Sequence, residues 1–185
     1  MLTLDLSKLP VLTTDRLVLR ELRTEDAPAL FAMRSDPIAM ALVRRHLATT
    51  IEDAHALIAK IQGIQAANDG AQWAITLKGD DTFIGLVGLW RIMKEHHRAE
   101  LGYSLTRAQW GQGIITEAIP PVLDHGFRVF GCHSVEAITD PRNTASMRVL
   151  EKNGFVREGH FKENFSGTGS LRTPWCSASW RGADH

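Results

Sequence analysis

The run Trp110-Gly111-Gln112-Gly113 stands where a strand-like pattern gives way to a helical one, and that placement is a device for holding phosphate. The first backbone N–H groups of a helix have no internal partner, and the helix dipole puts partial positive charge there. Glycines at 111 and 113 leave room for a diphosphate to approach the backbone closely. A tight turn also uses such a pair, so that reading stays open. A dinucleotide fingerprint fits less well, because its third glycine is missing and the preceding strand belongs to a meander. No Gly-Lys-Ser/Thr follows, which excludes a Walker loop. Further along, Asn143 and Ser146 share one helix face, and Asn143 after Pro141 also reads as a helix N-cap. No Cys-His or Ser-His-Asp spacing points to a covalent intermediate.

Other reactive side chains read as structural. His96-His97 sits in a charged turn, where adjacent histidines on an extended strand point to opposite faces and no third ligand is well spaced. No metal is expected. Trp73, Trp90, Trp110, Trp175 and Trp180 lie in separate elements, as core or rim packing rather than a stacking platform. Cys132 and Cys176 read as buried, reduced thiols; two cysteines make neither a disulfide framework nor a four-ligand zinc site.

The elements that must position these residues alternate. Arg16–Arg23 has the period of two of a half-buried strand. Thr24 is the expected N-cap of a helix running to about Ser35 and stopping near Asp36-Pro37. Thr49 and Glu52 have the spacing of a capping box, and Ala54, Ile58, Ile61 and Gln65 follow at helical spacing. Three strands, Gln72–Lys78, Thr82–Arg91 and Arg98–Thr106, form an antiparallel meander. A helix is expected from Gln112 to about Phe130, with Pro120-Pro121 kinking or breaking it after an intact first turn. His133–Thr139 is a strand, and Asn143–Lys152 a short helix stopped at Asn153-Gly154. Phe155–Phe165 and Pro174–Trp180 are extended runs flanking a turn at Ser166–Ser170. The expected class is α/β, one mixed sheet with helices on its faces.

Composition bounds what such a chain does. Its 185 residues suit one domain spanning 1–185, with 44% hydrophobic residues to build a core. Lys and Arg number 21 and Asp and Glu 21, which argues against holding a polyanionic nucleic acid by bulk charge. No run reaches the roughly 18 consecutive apolar residues of a membrane span. The opening residues lack the features of a secretory signal. A cytoplasmic location is expected.

Three separated motifs carry a resemblance: A-E-L-G-Y-S-L at 99–105, W-G-Q-G-I-I-T-E-A at 110–118, and N-T-A-S-M-R-V-L-E-K-N-G-F-V-R-E-G at 143–159. They resemble the GNAT superfamily of acetyl-CoA-dependent N-acetyltransferases, and more narrowly the branch of ribosomal-protein N-terminal alanine or serine acetyltransferases. T-D-R-L-V-L-R at 14–20 is similar to the first strand of that branch. Motifs and element order together cover about residues 12–180. The resemblance implies a GNAT-like fold of about seven strands in a largely antiparallel, splayed sheet with about four helices.

It also implies site residues. The backbone of Tyr103, Ser104 and Leu105 would pair with the pantetheine arm of acetyl-CoA where two strands part. The amides of Gly111, Gln112, Gly113, Ile114, Ile115 and Thr116 would hold its pyrophosphate, and Asn143 and Ser146 would face the cofactor near its sulfur. Glu100 is the candidate base, acting through a water, with a sheet-face pairing to Arg98 or Arg91 as the alternative. Ser146 is the candidate proton donor to the leaving thiolate. Three positions depart from the family pattern: Ala108 stands for a frequent Gln or Arg, Leu150 for a frequent Tyr, and Ile115 for an often smaller residue. The segment holding Arg44, Arg45 and His46 is a candidate for contacting an acidic acceptor, or a solvated basic loop.

The implied reaction is direct attack of a primary amine on the thioester. The acceptor expected first is a protein N-terminal α-amine; a small amine such as an amino acid, polyamine, aminoglycoside or peptide antibiotic, or a non-catalytic acyl-CoA-binding module, are the alternatives. A monomer or homodimer is expected, without nucleic-acid or membrane partners.

Overall fold

The computed structural model describes residues 5–43, 46–161 and 175–181. Its strands are β1 (Leu12–Thr13), β2 (Leu17–Glu21), β3 (Ala71–Leu77), β4 (Asp80–Met93), β5 (Arg98–Leu105), β6 (Ser134–Thr139), β7 (Val156–Phe161) and β8 (Trp175–Arg181). Its helices are α1 (Ala27–Ser35), α2 (Pro37–Met40), α3 (Ile51–Ala66), α4 (Ile114–Arg128) and α5 (Thr144–Lys152). The strands form one sheet in the order β1-β2-β3-β4-β5-β6-β8-β7. The expected meander is β3-β4-β5, antiparallel throughout.

One pairing differs from all the others. β5 and β6 run parallel and touch only over Arg98–Glu100 and Ser134–Glu136. Beyond that rung β5 keeps its ladder with β4 as far as Leu105, while β6 continues beside β8. The sheet therefore opens into a wedge bounded by Leu101–Leu105 on one side and Ala137–Thr139 on the other.

Alternation along the strands sorts the helices. Trp73, Ile75, Val87, Leu89, Ala99 and Leu101 join the cluster that includes Ile115, Ala118, Ile119 and Val122 of α4 and Leu150 of α5. Ala74 and Leu86 face the other way, into the cluster of α1 and α3 with Leu30, Ala54, Ile58 and Ile61. With both faces covered, β3 is buried from Ala71 to Thr76. Gly126 lets α4 lie close on the sheet, since a Cβ there would sit 2.6 Å from Leu89 Cδ1.

Several local expectations need correction. Thr24 caps no α-helix: Thr24–Asp26 is a 3-10 turn, and α1 starts at Ala27 with Pro28 in its first turn. Asp26 turns inward, its carboxylate accepting from Arg20 Nη1 and Nη2, both at 2.8 Å. Asp36-Pro37 ends α1 and also starts a further turn, because Asp36 accepts from the N–H groups of Ile38 and Ala39. The capping box of α3 lies one residue later than expected, on Thr50 and Asp53, with Asp53 also accepting from Thr49 N–H at 2.7 Å. Pro120 and Pro121 do not break α4, which runs as one helix from Ile114 to Arg128. The buried stripe of Ile115, Ala118, Ile119, Val122 and Leu123 holds it to the sheet where two ladder donors are missing. The expected turn at Ser166–Ser170 lies outside the described residues.

Candidate active site

The start of α4 is built to leave its amides free. Gly111 and Gly113 both have φ of +75°, a left-handed conformation that side-chain-bearing residues rarely adopt. A Cβ at Gly111 would meet nothing within 4 Å, and one at Gly113 only Arg16 Nη2 at 3.7 Å. Backbone conformation, more than crowding, thus calls for glycine here. Gly113 is the N-cap and no side chain caps the helix. Among the described residues the N–H groups of Ile114, Ile115 and Thr116 make no hydrogen bond; the ladder starts with Glu117 N–H to Gly113 O at 3.0 Å.

That turn is clamped from below. Arg16 Nη1 donates to Gln112 O at 3.1 Å while Arg16 Nε donates to Glu117 Oε2 at 2.6 Å. Glu117 Oε1 also accepts from the Arg16 N–H at 2.9 Å and from the Thr14 hydroxyl. Burial works to raise the Glu117 carboxyl, but the hydrogen bonds from Thr14 and Arg16 prevail and hold it below the usual carboxylate range. The loop before it is pinned as well: the Trp110 indole donates to Leu105 O at 3.0 Å, and Arg107 Nε lies 3.2 Å from Asp36 Oδ2. Ala108 sits within this loop's 3-10 turn.

The wedge opens beside this helix end. Glu100 stands on its last closed rung, in register with Glu136. Its Oε2 accepts from Arg91 Nη1 at 3.1 Å, so the pairing with Arg91 is present; Arg98 instead binds Glu136 at 2.8 Å. Tyr103, Ser104 and Leu105 follow on the free side, with the Leu105 carbonyl already taken by Trp110. Across the wedge, Asn143 is the N-cap of α5 and its Oδ1 accepts from Ser146 N–H at 3.0 Å. The loop ahead of it is fixed by Asp140, whose carboxylate accepts from Arg142 N, Nε and Nη2. Ser146 faces β5, and its Oγ lies 2.7 Å from the Tyr103 hydroxyl. Leu150, where a tyrosine is frequent in the family, is buried in the core.

Tyr103 and Ser146 thus meet across the wedge, Glu100 stands on its last closed rung, and the loop that leads to Gly111 and α4 is tied to the end of β5 through Trp110 and Leu105. Sequence reasoning missed Arg16, Glu117 and Thr14, although all three lie inside the motifs it quoted. It also missed the Tyr103 side chain, having assigned that residue only a backbone role.

The set-aside residues lie elsewhere. His97 has φ of +51° and its Nδ1 bonds the Gly131 carbonyl at 3.1 Å. Trp73 is core, with its indole donating to Pro10 O, and Trp110 is partly exposed. Cys132 is a buried free thiol pushed up to about 11 by burial. The side chains of Cys176, Trp175 and Trp180 lie outside the described residues, as do Arg44 and Arg45; His46 is exposed. Among the described residues no three His, Cys, Asp or Glu side chains gather in a metal-binding group, and no helix is long and apolar enough to cross a membrane.

Comparison with known proteins shows the family of the chain. The acetyltransferase (GNAT) domain matches residues 16–156, most of the chain. The protein is a GNAT-family N-acetyltransferase. It is 32% identical to the N-acetyltransferase YoaA of Bacillus subtilis over 154 residues, 83% of this chain and 87% of that one. It is 29% identical to the spermidine N(1)-acetyltransferase of Escherichia coli K12 over 105 residues, 57% of this chain and 56% of that one. Among solved structures, a GNAT acetyltransferase from Bacillus anthracis superposes with TM-score 0.82 at 24% identity, covering 93% of this chain and 98% of that one. RimL, the ribosomal L7/L12 α-N-protein acetyltransferase solved with coenzyme A, gives 0.82 at 19% identity, covering 92% and 97%. At such identities the likeness is one of fold. This acetyltransferase shares the family's mixed, splayed sheet.

Proposed function

We propose that this N-acetyltransferase moves acetyl from acetyl-CoA to the α-amine of a protein N-terminus, of the ribosomal-protein kind. The observation that carries the cofactor half is the uncapped start of α4 opening beside the wedge. Three unpartnered amides at a positive helix end, flanked by two left-handed glycines with open space, suit a pyrophosphate. Gly111, Gln112, Gly113, Ile114, Ile115 and Thr116 hold it, and the pantetheine arm runs along Tyr103, Ser104 and Leu105 as an added strand.

The chemistry then falls to side chains at the wedge. Glu100 accepts the amine's proton through a water, because a protonated amine has no lone pair with which to attack. A β5 backbone N–H stabilises the oxyanion on the thioester carbonyl. Ser146 hydrogen-bonds the departing sulfur, with Asn143 holding the first turn of its helix. Reaction is direct, within a ternary complex.

The peptide acceptor is favoured over a polyamine by charge. Among the described residues, Glu100 and Glu136 on the last closed rung and Asp36 beside the bracing loop are each paired with an arginine, which weakens their pull on a polycation. The relationship to a spermidine acetyltransferase keeps polyamine acetylation as the second reading. Mass spectrometry after incubation with labelled acetyl-CoA tests both. Label on peptides beginning with Ala or Ser supports the first reading; label on spermidine alone replaces it with the second.

A further inference from the structure

The chain has one tyrosine, and it stands on the part of β5 that has left β6. Its side chain reaches α5, where the hydroxyl lies 2.7 Å from Ser146 Oγ, with either oxygen able to donate, and within donating distance, 3.3 Å, of the Ser146 carbonyl oxygen. Burial pushes the phenol up to about 12, so it keeps its proton throughout the neutral and mildly alkaline range. Ser146 is gripped from its other side too, its N–H donating to Asn143 Oδ1. Such a serine, fixed at backbone and side chain, is more than a solvated helix residue.

A hydroxyl has one proton to give and two lone pairs to fill. A helix serine left alone gives its proton to a carbonyl one turn back, where it is no use to a ligand. We infer that Tyr103 is the positioning residue for Ser146: of its two acceptors the phenol donates to the nearer, Ser146 Oγ, and leaves the serine's own proton free to point at the sulfur of the thioester. The donated hydrogen bond also polarises the serine O–H, since chained hydroxyls strengthen one another. Leu150 brings no hydroxyl to this helix and no second tyrosine exists, so the phenol is supplied from the strand wall of the wedge.

The proton count closes. The amine nitrogen forms the N–C bond, the C–S bond breaks, and its electron pair stays on sulfur. Sulfur takes the hydrogen bond from Ser146 and ends with the proton that the amine released to solvent through Glu100. Tyr103 and Ser146 finish in the protonation states in which they began.

This inference rests on the proposal that Ser146 assists the leaving thiolate, and the test separates the two. Turnover is measured for the wild type, Tyr103→Phe, Ser146→Ala and the double variant, with the amine that the wild type acetylates best. Phe keeps the ring, so the fold is retained, and melting curves check it. Tyr103→Phe should lower kcat about three- to tenfold, the worth of one hydrogen bond, with the KM for acetyl-CoA within about twofold. In the Ser146→Ala background the same change should lower kcat no further. Wild-type turnover in Ser146→Ala overturns the donor proposal itself. A Ser146→Ala defect with normal Tyr103→Phe kcat, or an equal Tyr103→Phe loss in both backgrounds, overturns this inference alone.

Discussion

Arg16 and Glu117 lie 101 residues apart in the chain and meet at 2.6 Å beneath the first turn of α4. The same arginine donates to the carbonyl of Gln112, so one side chain ties the glycine turn to the helix that follows it. Glu117→Gln should weaken CoA binding several-fold and cost about 1–2 kcal/mol of stability. The pH dependence has a definite sign. A carboxyl held below its usual value of 4.5 stabilises the fold above that value, and the contribution is lost as pH falls through the lowered pKa. Acid titration of melting temperature should therefore flatten in the variant; a curve parallel to the wild type's would mean that the clamp is not felt.

Gly113 and Gly79 separate phosphate binding from backbone strain. Both have positive φ, +75° and +84°, but Gly79 belongs to the β3–β4 turn, and a Cβ there meets nothing within 4 Å. Valine at either position should cost about 1–3 kcal/mol for the left-handed backbone. Gly113→Val should in addition lower CoA affinity at least about tenfold, by tilting the free amides. Calorimetric titration with CoA, set beside melting curves of both variants, checks this. Equal affinity in the two variants would leave the glycine turn as a turn only.

These two cases also mark what was legible in the sequence. The glycine turn and its helix start are local, carried by four consecutive residues, and the wedge was implied by motifs on either side of it. The Arg16–Glu117 clamp was invisible because spacing says nothing about partners in distant segments, even with both residues in quoted motifs. The capping box slipped by one because Thr49 and Thr50, and Glu52 and Asp53, are interchangeable to a pattern; the actual helix start chose between them. Local propensity at Pro120-Pro121 argues for a kink or a break; the break is absent because burial of one whole face of α4 keeps the helix continuous. Asp36-Pro37 was read as a stop and proved also a start, which accounts for the additional helix.

Gln72 is buried on the α1 and α3 side of the sheet, yet neither its Nε2 nor its Oε1 has a hydrogen-bond partner among the described residues. A buried carboxamide without partners costs about 1–3 kcal/mol. Gln72→Met, close in volume and apolar, should raise stability by about 1 kcal/mol and the melting temperature by about 2–4 °C. A lower melting temperature would reveal a bound water that the amide holds in place.

Glu100→Gln isolates the base. At pH 7 most of an α-amine with its usual pKa near 8 is protonated, so removing the acceptor of its proton should lower kcat/KM by about 10- to 100-fold. As pH rises past 8 the amine arrives already deprotonated, and the defect should shrink. The Arg91 pairing supplies a control, because Arg91→Ala breaks the same 3.1 Å contact while leaving the carboxylate in place. Its guanidinium is largely exposed, so stability should change by less than about 1 kcal/mol. If Glu100 serves as the base, kcat/KM measured from pH 6.5 to 9.5 will narrow the gap for Glu100→Gln, and Arg91→Ala will show no such trend. A Glu100→Gln defect of constant size across that range, matched by Arg91→Ala, would assign Glu100 to the sheet surface instead.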